Sequence, residues 1–280
     1  MKILVTGSKG QLGSDLSAEI KKRGHVCIPA DIDDFDITDE KAVSDFILSA
    51  SPDAVIHCAA YTAVDKAESE TELCRLINAT GTKNVASASQ KCGSKLLVVS
   101  SDYVYGDNGG APHLPTDETS PVNFYGVTKL EAENEAEKLC EKLFIVRTSW
   151  VFGKNGNNFV KTMLSLSETK ECVCVVNDQT GSPTYTKDLS PLLCDIAESD
   201  KYGVYNASNE GYCTWAEFAS AVMTAAGRDT KVVPIPSSEY KCAAKRPVNS
   251  RLSKECLDKA GFKRLPDWHD ALERYIKELL

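Results

Sequence analysis

The chain opens with Met1-Lys2-Ile3-Leu4-Val5-Thr6 and runs directly into Gly7-Ser8-Lys9-Gly10-Gln11-Leu12-Gly13. A short apolar run that reads as a buried strand is followed by three glycines in seven residues. Leu12, Leu16 and Ile20 then recur four apart, on one face of a helix. Glycines at such a junction let the backbone turn tightly and come close to an anion, which the unpaired amides of the helix N-terminus stabilise. The junction predicts a parallel sheet with Gly7, Gly10 and Gly13 cradling a pyrophosphate at the end of the first strand.

The pattern repeats through the first half. His25–Ile28, Phe35–Ile37, Ala54–Cys58, Lys95–Ser100 and Phe144–Arg147 read as further strands. Asp39–Ser49, Glu70–Cys92 and Tyr125–Cys140 read as the intervening helices. This alternation predicts an α/β fold, a doubly wound Rossmann-type parallel sheet whose ligands bind beyond the carboxyl ends of the strands. The second half is more broken. Val173–Val176, Val204–Asn206 and Lys231–Ile235 read as short strands, Thr214-Trp215-Ala216-Glu217 is a capping box, and Asp267–Leu280 is a closing amphipathic helix. The Gly/Asn-rich stretch at Trp150–Asn158 suggests a dinucleotide-binding domain over 1–150. A smaller substrate lobe over 151–280 follows, part of it packing back on the first.

Composition excludes several classes. A net charge of −8 argues against a nucleic-acid partner, which calls for a basic stripe. No apolar run approaches the ~20 residues of a membrane span, and no signal or lipidation pattern precedes the first strand, so the expectation is a cytoplasmic protein. Eleven cysteines in a chain of 280 residues are an odd count without zinc-ligand spacing, and read as reduced and metal-free.

The fifth expected strand ends in Val99-Ser100-Ser101-Asp102, and Tyr125-Gly126-Val127-Thr128-Lys129 follows. Tyr and Lys four apart share one helix face. Reducing a ketone leaves an alkoxide that needs a proton. A tyrosine beside an ammonium can give one, and a strand-end serine can polarise the carbonyl. Ser101, Tyr125 and Lys129 are the catalytic candidates. The GxxGxxG spacing ahead of them resembles the short-chain dehydrogenase/reductase form of the dinucleotide fingerprint. The second strand leads into Ala30-Asp31-Ile32-Asp33-Asp34, which offers ribose hydroxyls an acid and a 2′-phosphate no Arg. NADH is favoured over NADPH, with Lys9 able to tolerate the latter.

Longer blocks narrow the reading. Ala59-Ala60-Tyr61-Thr62-Ala63-Val64-Asp65-Lys66-Ala67-Glu68, Asn78-Ala79-Thr80, Ser101-Asp102-Tyr103-Val104, Tyr125-Gly126-Val127-Thr128-Lys129-Leu130, Arg147-Thr148-Ser149-Trp150-Val151-Phe152-Gly153, Gln179-Thr180-Gly181-Ser182-Pro183-Thr184 and Arg246-Pro247-Val248-Asn249-Ser250-Arg251-Leu252 closely resemble motifs of the dTDP-4-dehydrorhamnose reductase family. The resemblance implies reduction of the 4-keto group of dTDP-4-dehydro-L-rhamnose by NAD(P)H, supplying dTDP-L-rhamnose for cell-surface polysaccharide. It implies that Gly10, Gln11 and Leu12 contact the dinucleotide phosphates and Asp36 and Ile37 the adenine, while Ala60, Tyr61, Thr62 and Val99 line the path to the nicotinamide. Ser101 and Asp102 would contact the sugar and Trp150 pack against it. Tyr125 would donate the proton, and Lys129 would bind ribose and lower the Tyr125 pKa. Arg251 reads equally as a structural cation or a substrate diphosphate contact, and Trp150 also as a core cap. A homodimer is compatible with the resemblance. Some members hold Mg2+ at a dimer contact; Asp15 is near that position but shorter than the family's Glu, so no metal site is assigned. The alternatives are a sugar-nucleotide epimerase or dehydratase, and a non-catalytic dinucleotide-binding regulatory subunit.

Overall fold

The computed structural model describes residues 1–107 and 110–280. Strands β1 (Lys2–Thr6), β2 (Val26–Ala30), β3 (Ala54–His57), β4 (Lys95–Ser101) and β5 (Leu143–Thr148) form most of the central sheet. In the second half β6 (Cys172–Val176) pairs in parallel with β8 (Lys231–Ile235), while β7 (Gly203–Asn206) returns to the central sheet beside β5. That sheet has the order β7-β5-β4-β3-β1-β2, with every neighbouring pair parallel. The chain winds outward in opposite directions from β1, so a crevice opens above the carboxyl ends of β1 and β3, the usual ligand position in such sheets.

Alternation along β1 divides the core. Ile3 and Val5 face Leu12, Leu16 and Ile20 of α1 (Gln11–Lys22) and Leu189, Leu193 and Ile196 of α6 (Thr186–Glu198). Leu4 faces the opposite layer, with Val43 and Ile47 of α2 (Glu40–Ala50), Val85 of α3 (Gly81–Cys92) and Ala136 of α4 (Phe124–Leu139). Helices α5 (Phe159–Ser167), α7 (Trp215–Ala225) and α8 (Trp268–Leu279) build a second, aromatic-rich core around Phe152, Phe218, Trp268 and Tyr275. The capping box holds as read: Thr214 N–H donates to Glu217 Oε2 at 2.7 Å, and Glu217 N–H to Thr214 Oγ1 at 3.2 Å.

Three local expectations change. Phe35–Ile37 is a loop, not a strand, because the backbone is spent on turns. Asp34 and Phe35 N–H both donate to Asp31 O, and Asp36 Oδ1 accepts from Thr38 N–H. Phe35 is buried from that loop against Phe46, with ring centroids 4.7 Å apart. The second strand runs on through Pro29, which β2 tolerates as the edge strand of the sheet. The helix expected over Glu70–Cys92 carries a π-helical turn at Leu76–Thr80 between Thr71–Arg75 and α3. Among the described residues no helix is long and apolar enough to cross a membrane.

Candidate active site

The crevice is a cleft of about 1250 Å³. Its floor is the glycine loop. Gly7 has φ +64°, and a Cβ there would lie 2.8 Å from the Ala59 backbone; a Cβ on Gly13 would lie 2.2 Å from Gly7 O. The loop therefore closes only with glycine at both positions. Gly10 caps α1 without a side-chain acceptor, and no acid occupies the first turn. The leading amides of α1 stay available to an anion, and a cradle that any Cβ would fill fits a dinucleotide pyrophosphate.

Ser101, the last residue of β4, donates to Asp102 Oδ1 at 2.9 Å and accepts from Tyr103 N–H at 3.1 Å. Asn123 caps α4, accepting from Gly126 N–H at 2.8 Å. A Cβ on Gly126 would lie 2.2 Å from Tyr103 O, so this glycine lets α4 press onto the segment after β4. The packing brings Ser101, Tyr125 and Lys129 to the same cleft as the glycine loop. Lys129 donates from Nζ to Val99 O at 2.9 Å.

Burial governs the electrostatics. It lowers Lys129 to about 8, against an opposing pull from Glu133. It raises the Asp102 carboxyl to about 7, although Ser250 and Ser101 hydroxyls favour its ionised form. Tyr125 is pushed up by burial and then by the charge of Asp102, with the Ser101 hydroxyl opposing. Lys129 uses one of its three donors on the Val99 carbonyl, which leaves the others free toward the cleft. His57 is a core residue. Burial and then Lys129 drive its pKa down to about 3, and it lies between Thr6 Oγ1 at 2.7 Å and Thr82 Oγ1 at 3.1 Å.

The other expected residues sort by position. Gln11, Leu12, Asp36, Ile37, Ala60, Thr62, Val99, Asp102 and Trp150 all line the cleft. Trp150 sits at φ +47° and stacks on Trp215 with centroids 3.6 Å apart. A bulky residue in that backbone region is an outlier, held here by its surroundings. Tyr61 does not line the cleft: its hydroxyl donates to Glu70 Oε2 at 2.6 Å, outside it. Arg251 also lies outside, donating to Asn249 Oδ1 at 2.9 Å and to Gly110 O. The arginine that reaches the cleft is Arg246, paired with Asp65 at 2.9 and 2.7 Å. Asn78 belongs to a family-like block, but the sequence gives it no role. It is buried in the π-helical turn, accepts from Tyr61 N–H at 2.8 Å and donates to Thr128 Oγ1 at 2.9 Å.

The whole chain, residues 1–280, matches the family model described as the RmlD substrate binding domain. It is 36% identical to dTDP-4-dehydrorhamnose reductase of Escherichia coli strain K12, over 100% of this chain and 98% of that one. The chain belongs to the dTDP-4-dehydrorhamnose reductase family. The spore coat polysaccharide biosynthesis protein SpsK of Bacillus subtilis is 38% identical, covering 99% of this chain and 97% of that one. The crystal structure of dTDP-4-dehydrorhamnose reductase from Bacillus anthracis in complex with NADP superposes with a TM-score of 0.96 at 41% identity, covering 99% of this chain and 100% of that one. Membership makes the chain an NAD(P)H-dependent oxidoreductase of Rossmann-like fold. At the position noted for a divalent ion in this family, both carboxylates have partners within the chain. Asp15 Oδ2 accepts from Thr186 Oγ1 at 2.5 Å, and neighbouring Glu278 is taken by Lys187 at 2.6 Å and Tyr185 at 2.6 Å. Among the described residues no group of three or more His, Cys, Asp or Glu could hold a metal.

Proposed function

We propose that this chain reduces the 4-keto group of dTDP-4-dehydro-L-rhamnose to give dTDP-L-rhamnose. The observation that carries the reading is the convergence of Ser101, Tyr125 and Lys129 on the cleft floored by the glycine loop. The bound nicotinamide cofactor supplies the hydride. The chain's own residues do the rest. The Ser101 hydroxyl holds the carbonyl oxygen, and Tyr125, kept protonated by burial, donates the proton that the developing alkoxide needs. Lys129 presents its ammonium to the cofactor ribose. Trp150, braced by Trp215, walls the sugar site, and Arg246 is the cation available to the nucleotide diphosphate.

Tyr103 argues against a redox-neutral dehydratase. It stands after Asp102, where dehydratases resembling this family carry a second acid, and burial pushes its phenol up rather than making it a base. The adenosine end of the cleft supports a tilt to NADH. Both oxygens of Asp31 are engaged by the N–H groups of Lys9 and Ile32, at 2.8 and 2.9 Å, and the Lys9 ammonium is paired with Asp33. Incubating the protein with reduced cofactor and a panel of nucleotide-linked 4-keto-6-deoxy sugars tests the reading. Turnover of the dTDP sugar supports it, and inertness toward every 4-keto sugar overturns it.

A further inference from the structure

Hydrogen-bond polarity is fixed along the seam between the glycine loop and the C-terminal lobe. Asn158 caps α5, its Oδ1 accepting from Lys161 N–H at 3.0 Å, and a backbone amide can only donate. Nδ2 is therefore a donor only, and its two hydrogens are shared among the Gly153 carbonyl at 2.9 Å, Tyr275 Oη at 2.9 Å and the Gln11 carboxamide at 3.0 Å. The Gln11 atom facing Asn158 must then be Oε1. This leaves Nε2 as the end of the carboxamide offered to the cleft that Gln11 lines, and among the described residues none accepts from it. The closing helix locks the arrangement: Tyr275 Oη lies 2.9 Å from Asn158 Nδ2 and donates to Gly153 O at 2.6 Å.

We propose that Asn158 is a positioning residue that fixes Gln11 with its NH2 toward the cofactor diphosphate. The reversed carboxamide would set its oxygen against phosphate oxygens, replacing attraction with repulsion. An unconstrained Gln11 would divide its time between the two orientations. The C-terminal lobe thereby sets the grip of the N-terminal glycine loop on its anion. This rests on the dinucleotide reading above.

Calorimetric titration of the full chain with ADP-ribose, which carries the diphosphate, and with adenosine, which carries no phosphate, tests the proposal. Asn158→Ser keeps a capping hydroxyl for α5. It should weaken ADP-ribose binding by about three- to tenfold, the scale of one hydrogen bond, and leave adenosine unchanged. Gln11→Met should give the same loss, and the double variant no more than either. Equal losses for both ligands, or additive losses in the double variant, would overturn the role. Should Asn158→Ser fail to fold, Gln11→Glu decides: it still accepts from Asn158 but offers the diphosphate no donor, and unchanged ADP-ribose affinity contradicts the proposal. A wild type that binds no ADP-ribose at all would instead remove the dinucleotide reading itself.

Discussion

Asn78 Nδ2 lies 2.9 Å from Thr128 Oγ1, and Thr128 Oγ1 donates in turn to Tyr125 O at 2.8 Å. Through its Oδ1 the same side chain holds Tyr61 N–H, so one buried amide links the loop after β3 to the helix that carries Tyr125 and Lys129. The π-helical turn at Leu76–Thr80 puts Asn78 in that position, in keeping with the tendency of such turns to occur at functional sites.

Asn78→Ala should therefore cost both stability and rate. It leaves the Tyr61 N–H without its acceptor and opens a small cavity, a loss of about 2–3 kcal/mol. Urea unfolding measures it. A variant as stable as wild type would show that the amide bridges nothing of consequence.

Tyr125→Phe removes the proton donor and keeps the ring packed edge-on to Tyr103, with centroids 5.9 Å apart. Turnover should fall by about 10²–10⁴-fold, with dinucleotide affinity nearly unchanged. Full kcat in this variant would contradict the assignment.

Lys129→Met should weaken cofactor binding and turnover together. Because burial sets Lys129 at about 8, wild-type kcat/KM should fall as pH rises through that value and the ammonium is lost. The variant should lack this ionisation. An identical pH profile in both proteins would assign it elsewhere.

Asp102 gives a prediction for stability. Its carboxyl is raised from 3.8 to about 7. Below 3.8 both folded and unfolded forms hold the proton. Between the two values only the folded form does, so stability falls as pH rises and levels off above about 7. The full difference is on the order of 4 kcal/mol. Asp102→Asn should flatten the dependence, seen as a thermal midpoint that changes less between pH 5 and pH 7 than in wild type. An unaltered slope would mean that Asp102 is ionised in the folded protein.

Much of this site is legible in the order of residues. The glycine loop, the strand-end Ser101 and the Tyr125–Lys129 pair rest on strong local signals: a turn only glycine permits, a strand end and one helix face. What is hidden depends on tertiary contacts. Phe35–Ile37 is as apolar as a strand, but its aspartates close turns that no hydrophobic pattern reveals. Arg246 and Arg251 stand in one irregular segment without period, so nothing in the sequence tells which faces the cleft. Asn78 stands in a family-like block, but the bridge it makes is visible only with the π-helical turn. That part of the second half returns to the first is expected, but that β7 is the strand that pairs with β5 is not legible in four residues so far from it.

The most direct test follows the nicotinamide absorbance while dTDP-4-dehydro-L-rhamnose is supplied in known amount. Oxidation of one NAD(P)H for each sugar nucleotide converted, with dTDP-L-rhamnose as product, is the result the Ser101–Tyr125–Lys129 site predicts. Conversion of the sugar nucleotide with only catalytic cofactor and no net loss of absorbance would contradict it, and would make the chain a redox-neutral epimerase or dehydratase.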